Sequence, residues 1–390
     1  MNFIHYISVL GFLSISTSLL SQQQKADKMK WIELHGYIRD MQNSYFIDNI
    51  DSLSSSNLIH NRLNFKFTLS PKLTGRLEIR NRIFYGDQVK QIPEFGKYIN
   101  QYEGFINLSK LWVSEYSLVI HSVVDRFQLQ YAGEKWDIKI GRQRINWGIN
   151  NIWNPNDIFN AYNFLDFDYE ERRGNDAIRI QHFFKNNTAA ELAFKPGRNK
   201  DESTGALLYK FNRWKYDFQF LTGICQSDLV IGTGWAGNII DAGFKGEASY
   251  FHPKNNPVDT TGIWCLSIMS DMTFKNNWYV SLAVLYNSNP NNILGAYGGL
   301  YNSNLSAKSL FPYRYNFYAG IIKTITPITS INFSFIYATE KNTIIVFPSF
   351  AWNVASNFDL DFTTQSYFAE SKKSYQTLGN AFFIRGRWSF

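Results

Sequence analysis

From Trp31 to Phe390 the chain alternates apolar and polar side chains with a period of two, a pattern that restricts it to a β architecture. Over Trp31–Tyr45, Ile32, Leu34, Gly36 and Ile38 fall on one face and Glu33, His35, Tyr37 and Arg39 on the other. Leu58–Leu69 sets Leu63, Phe65, Phe67 and Leu69 against His60, Arg62, Asn64 and Lys66. Leu73–Tyr85 sets Leu77, Ile79 and Ile83 against Arg76, Glu78, Arg80 and Arg82. Trp214–Phe220, Phe244–Tyr250, Trp278–Tyr286 and Ile331–Tyr337 repeat the pattern. After the first twenty or so residues, no stretch approaches the roughly eighteen apolar residues of a spanning helix, so a membrane crossing would have to be made with strands.

Alternation alone does not say which face is buried. A sandwich turns its apolar face inward, whereas a membrane barrel turns it to lipid and lines a lumen with the polar one. Connection lengths separate the two. Short turns are expected at Ser70–Lys72, Ala132–Lys135, Asn186–Asn187, Asn212–Arg213, Lys275–Asn277 and Thr326–Pro327. Longer polar links lie between them at 87–121, 148–175, 196–204, 252–261 and 288–312. Short turns on one rim and long loops on the other are the plan of a transmembrane antiparallel β-barrel. The segments give about eighteen strands, with sixteen allowed, and an even number returns both ends of the wall to the turn side.

Composition agrees. Aromatic residues make up 17% of the chain and charged residues only 18%, and the aromatics gather at strand ends, where interfacial girdles sit. The formal net charge of +7 suits an anionic solute, and the absence of Lys/Arg-rich runs argues against nucleic acid. Residues 1–21 read as a signal peptide: an apolar run from Phe3 to Leu20, interrupted by Ser and Thr, ends at Ser21. The barrel then occupies 22–390. Cys225 and Cys265 stand alone, so neither a disulfide framework nor a metal site is expected, and no cofactor is implied.

One segment breaks the rhythm. Ile140–Ile180 begins and ends as strand but holds a long polar and aromatic excursion between. Asn154-Pro155 carries a helix start signal, and Asp166, Asp168, Glu170 and Glu171 follow, abutted by Arg172 and Arg173. Trp147, Trp153, Phe159, Tyr162, Phe164 and Phe167 argue against disorder, so the segment is read as a loop folded into the barrel.

The end of the sequence, LGNAFFIRGRWSF, places Phe382, Ile384, Gly386, Trp388 and Phe390 on one face. It resembles the closing strand of bacterial outer-membrane barrels. That resemblance implies outer-membrane lipid around the chain and a barrel-assembly machinery that reads Trp388 and Phe390. Gly141-Arg142-Gln143, Asn146-Trp147-Gly148, Trp153-Asn154-Pro155 and Asp168–Arg172, with Gly234–Phe251, resemble porin-like proteins of Bacteroidetes. More distantly the chain is similar to alginate-export and phosphate-selective porins. The resemblance implies a passive channel in a Gram-negative outer membrane and allows a homotrimer, although no interface is recognisable in the strands.

Closure would bring the last strand beside the first and put Arg385, Arg387, Arg39, Arg62, Lys66, Arg76, Arg80 and Arg82 on one inner wall, opposed within it by Glu33 and Glu78. Facing the acidic loop, that wall would set a transverse field for small polar or anionic solutes. Arg142 and Arg144 fall outward by strict alternation, so either a bulge near Gly141 brings them inside or they tie the loop to the wall. Two other readings compete. A surface-polysaccharide binding or assembly protein would use the long loops; a barrel enzyme would need a Ser/His constellation, and His121-Ser122 is the one adjacent pair.

Overall fold

Nineteen strands lie among the described residues, and eighteen of them close into one antiparallel barrel. The computed structural model describes residues 30–47, 50–101, 104–161, 164–165, 173–254, 261–290, 305–371 and 373–390. The leader read over 1–21 lies outside them, as do Asp166, Asp168, Glu170, Glu171 and Arg172.

The wall runs β1 (Ile32–Phe46), β2 (Ser54–Ser70), β3 (Leu73–Gly86), β5 (Leu118–Ala132), β6 (Trp136–Gln143), β7 (Asn175–Phe183), β8 (Ala189–Lys195), β9 (Thr204–Arg213) and β10 (Tyr216–Cys225). It continues through β11 (Asp228–Ile239), β12 (Ala242–Pro253), β13 (Ile263–Phe274), β14 (Trp278–Asn287), β15 (Tyr315–Thr326), β16 (Thr329–Ala338), β17 (Thr343–Ala355), β18 (Phe358–Ser371) and β19 (Ser374–Ser389). Each strand pairs with its sequence neighbour, and β19 returns to β1 in register from Tyr37↔Ser389 to Phe46↔Asn380. The short β4 (Ser109–Ser114) lies outside this ring; it pairs with the loop-side half of β5, on the edge whose turn-side half carries β6. Helices α1 (Asp87–Gln91) and α2 (Phe95–Ile99) occupy the same β3–β5 link.

Outward side chains are apolar in strand after strand: Leu34 and Ile38 on β1, Phe127 and Leu129 on β5, Leu192 and Phe194 on β8, Phe382 and Ile384 on β19 are all exposed. Trp31, Trp136, Trp214, Trp278, Trp352 and Trp388 add exposed indoles at the turn-side rim. An apolar belt of this kind is stable against lipid and not against water.

Tight turns rest on residues that accept a left-handed backbone. Asn186 (φ 59°) and Asn187 (φ 55°) turn β7 into β8, and Asn276 and Asn277 turn β13 into β14. The turn expected at Asn212–Arg213 sits instead at Trp214 (φ 53°) and Lys215 (φ 65°). Register decides this: Phe211 pairs with Phe218 and their rings stack at 5.4 Å, which keeps Asn212 and Arg213 in strand. Nor is the loop rim uniformly long, since β10–β11, β16–β17 and β18–β19 also turn tightly there.

Candidate functional site

The interior of the barrel holds the candidate site, and it has two tiers. In the loop-side half, many inward positions are apolar and buried: Leu208, Leu221, Met269, Leu285, Ile345 and Phe383 join one core with Val89 and Phe95 of the helices and with the inward loop, while His60, Arg82 and His121 form a buried polar patch beside it. Phe84 meets Phe95 edge-on at 5.3 Å. In the turn-side half the inward positions are polar and partly open, among them Arg76, Lys139, Arg179, Lys210, Asp361 and Arg387.

The eight cationic wall residues read from the sequence do come to neighbouring strands, but they are not a bare ladder. Arg62, 1% exposed, donates to Glu78 at 2.6 Å and to Asp125 at 2.8 Å, and Arg80 lies 3.2 Å from Asp125. Arg39 bonds His60 at 2.8 Å, and Arg82 bonds His121 at 3.2 Å. Lys66 pairs with Glu33 at 3.1 Å, Arg385 with Asp361 at 2.9 Å, and Arg387 stacks over the Tyr37 ring at 4.3 Å. Arg76 is exposed to the turn-side space. The expectation that only Glu33 and Glu78 oppose this wall is therefore corrected. Asp361 arrives from β18, beyond the strands considered, and Asp125 arrives through a bulge. Arg126 opposes Glu78 and Val124 opposes Ile79, which leaves Asp125 as the extra residue. The bulge swings its carboxylate between Arg62 and Arg80.

Two further expectations near the inward loop need amending. The pairing of β6 runs through Gly141 in unbroken register, so no bulge forms there, but Gly141 takes a left-handed backbone (φ 110°), where a Cβ would meet the Phe127 carbonyl at 2.3 Å. Beyond it Arg142 is buried and bidentate with Asp176 (2.8 and 3.0 Å), and it also donates to the Val124 and Ile106 carbonyls. It staples three segments together, while Arg144 is exposed. The helix signal at Asn154-Pro155 yields a single turn, in which Asp157 N–H donates to the Asn154 carbonyl at 3.1 Å. Ser249 Oγ then takes the Pro155 carbonyl at 3.0 Å, one of the acceptors a continuing helix would need.

The inward loop crosses to the far wall and is tied there. Glu247 on β12, 1% exposed, accepts the backbone N–H groups of Ile149, Asn150 (2.9 Å) and Asn156 (2.9 Å). Glu191 on β8 accepts Trp147 Nε1–H at 2.6 Å and is held in turn by Arg179 at 2.7 and 3.0 Å. Gln219 donates to the Trp147 carbonyl at 2.8 Å, Asn156 Nδ2 to the Thr233 carbonyl at 2.9 Å, and Gln365 to the Leu165 carbonyl at 3.2 Å. Trp153 lies 6.4 Å from the Tyr318 ring, and Phe164 lies 5.5 Å from Tyr318 and 5.4 Å from Phe347. A buried carboxylate is tolerated where several N–H donors converge on it, and each such charge-assisted bond is stronger than a neutral one. Glu191 and Glu247 escaped sequence reading because each is one more polar residue in an alternating strand.

His121 and Ser122 do not form a catalytic pair. Their side chains fall on opposite faces of β5, and Ser122 bonds Trp112 (2.9 Å) and Asn81 (2.6 Å) instead. At the loop-side rim, Asp87 accepts the Ser55 backbone N–H at 3.0 Å, which holds its carboxyl below the ordinary carboxylate range.

Known structures share this plan. OccAB4 of Acinetobacter baumannii superposes with a TM-score of 0.59 at 9% identity, covering 93% of this chain and 99% of that one. The fold is that of a known class of barrels. The outer membrane protein opdK of Pseudomonas aeruginosa gives 0.57 at 9% identity over 92% of this chain and 99% of its own, and OccK8 (OprE) of the same organism gives 0.57 at 7% over 92% and 98%. No family model and no curated protein matches the sequence. At such identities the likeness is one of fold.

Proposed function

We propose that the chain is a porin-like channel of a Gram-negative outer membrane that passes small polar or anionic solutes by passive diffusion. The observation that carries this reading is the inside-out distribution of polarity around a closed barrel, with Leu, Ile, Phe and Trp outward and paired Arg, Lys, Asp and Glu inward. One neighbour in fold, opdK of Pseudomonas aeruginosa, is an outer membrane protein. On this reading the short turns face the periplasm, residues 1–21 are removed on export, and Trp388 and Phe390 serve recognition by the barrel-assembly machinery. The acidic residues Asp166, Asp168, Glu170 and Glu171, with Arg172, face the basic wall as a constriction. Because the apolar core fills much of the described loop-side interior, conductance is small and set by the inward loop.

The test is single-channel conductance of refolded protein in a planar bilayer, with the reversal potential read under a KCl gradient. A small steady conductance that prefers anions, and loses that preference in Arg76→Ala with Arg387→Ala, supports the proposal. Cation preference overturns the anionic solute. No conductance from a folded, heat-modifiable barrel overturns the channel.

A further inference from the structure

Beneath the inward loop, on the turn side, the wall of β7 to β11 lines a half-open cavity of about 550 Å³. This lies within the range of roughly 300–1,000 Å³ that small-molecule sites occupy. Ile149 of the inward loop and the Asn186–Asn187 turn line it together with Phe183, Lys210, Asp217 and Gln219.

Three features of this lining select a ligand. Phe183 shares the inward face of β7 with Arg179 and Gln181, yet the residue is 42% exposed beside a polar space and, among the described residues, no aromatic ring stacks on it. Lys210 makes no hydrogen bond or ion pair among the described residues, although it is half-buried and faces inward. Asp217 accepts Asn212 Nδ2–H at 2.8 Å, which leaves acceptor capacity on the cavity side. Lys210 is paired with Gln219 and Asn212 with Asp217, so the cation and the carboxylate are diagonal neighbours on adjacent strands without forming an ion pair.

A small anion would meet Asp217, and a small cation would meet Lys210. A neutral polyol satisfies both, since one hydroxyl donates to the carboxylate while another accepts from the ammonium. An aromatic ring offers a negative face to electropositive C–H groups. A pyranose carries hydroxyls at its edge and C–H groups on its face, the two surfaces this cavity presents. We infer that the cavity under the inward loop is a binding site for a hexose-type sugar, stacked on Phe183 and hydrogen-bonded between Lys210 and Asp217. The inference needs the barrel and the cavity but not a conducting pore, so it stands or falls separately from the channel.

Saturation-transfer NMR on the folded, heat-modifiable barrel in detergent tests it, with methyl glucoside, glycine and acetate as probes. The expected result is saturable binding of the glucoside alone, with transfer strongest at its ring C–H protons. Asp217→Ala and Phe183→Ala should each weaken binding by about tenfold, the loss of one charge-assisted bond or one stacked ring. Phe183→Tyr keeps the ring face and should retain binding. The proposal is overturned by absence of glucoside binding to the wild-type barrel, by undiminished, wild-type binding in either alanine variant, or by preference for glycine or acetate.

Discussion

Asn156, in the middle of the inward loop, donates its backbone N–H to Glu247 on the far wall at 2.9 Å, and the same carboxylate holds Ile149 and Asn150. One buried side chain thus fixes two stretches of the loop on either side of Trp153. Replacing Glu247 with Ala leaves three N–H groups without their acceptor, at about 1–3 kcal/mol for each donor that stays buried. Glu247→Ala should lower the temperature at which the heat-modifiable band is lost and should make single-channel current noisier. Glu247→Gln keeps one acceptor oxygen and should fall between the variant and the parent. A parent-like melting temperature and current in Glu247→Ala would show that the aromatic contacts alone hold the loop.

Asp125 carries a different load. Among the described residues it is the one acid placed between Arg62 and Arg80, at 2.8 and 3.2 Å. Removing one partner of a buried ion pair typically costs about 3–5 kcal/mol, because the remaining charge stays desolvated. Asp125→Ala should shift the urea midpoint in lipid vesicles strongly downward, while Glu33→Ala, whose partner Lys66 is partly open to solvent, should shift it little. Equal midpoints for the two variants would contradict the bulge-borne role assigned to Asp125.

The contrast between these two acids also measures what the sequence discloses. Alternation assigns each side chain to a face, and on β1, β2 and β19 the faces follow the assignment. A bulge adds one residue to a strand without leaving a mark in the alternation of a polar pair such as Asp125-Arg126, so the carboxylate among the arginines stays hidden. Period two also does not say which inward positions a loop will cover. Leu208, Leu221, Met269 and Leu285 are inward and apolar because the loops pack on them, a non-local fact. For the same reason Glu191 and Glu247 read as ordinary lumen residues until the partner segment, far away in sequence, is in place. The turn at Trp214–Lys215 was missed because cross-strand stacking of Phe211 on Phe218 outweighs the local preference of Asn for a turn.

At the loop-side rim the lowered pKa of Asp87 gives a signed pH dependence. A carboxyl whose folded pKa is depressed stabilises the fold while ionised in both states, and loses that contribution as pH falls through the folded value. The Asp87 side chain is 39% exposed, and solvent screening keeps the effect small. The difference in melting temperature between the parent and Asp87→Asn should be constant above about pH 5 and should shrink below it. A difference that grows on acidification would rule out the Ser55 contact as its source.

The seam of the barrel gives the last prediction. Gly36 on β1 and Phe390 exchange two backbone hydrogen bonds of 2.9 Å, and the Phe390 ring lies over the glycine. A Cβ at Gly36 would meet the Arg62 carbonyl at 2.3 Å and the Phe390 ring at 2.7 Å. The ring can swing away, but the backbone carbonyl cannot, so the substitution strains the β1–β2 pairing and displaces the terminal ring at once. Gly36→Val should therefore cut the yield of heat-modifiable barrel on refolding, and Phe390→Ala in the same chain should recover only part of it, because the clash with Arg62 persists. Full recovery would mean that the ring alone occupies the space. Phe390→Ala by itself keeps both backbone bonds, so it should refold into detergent with near-parent stability, and a loss seen only in cells would then lie in assembly and not in the seam.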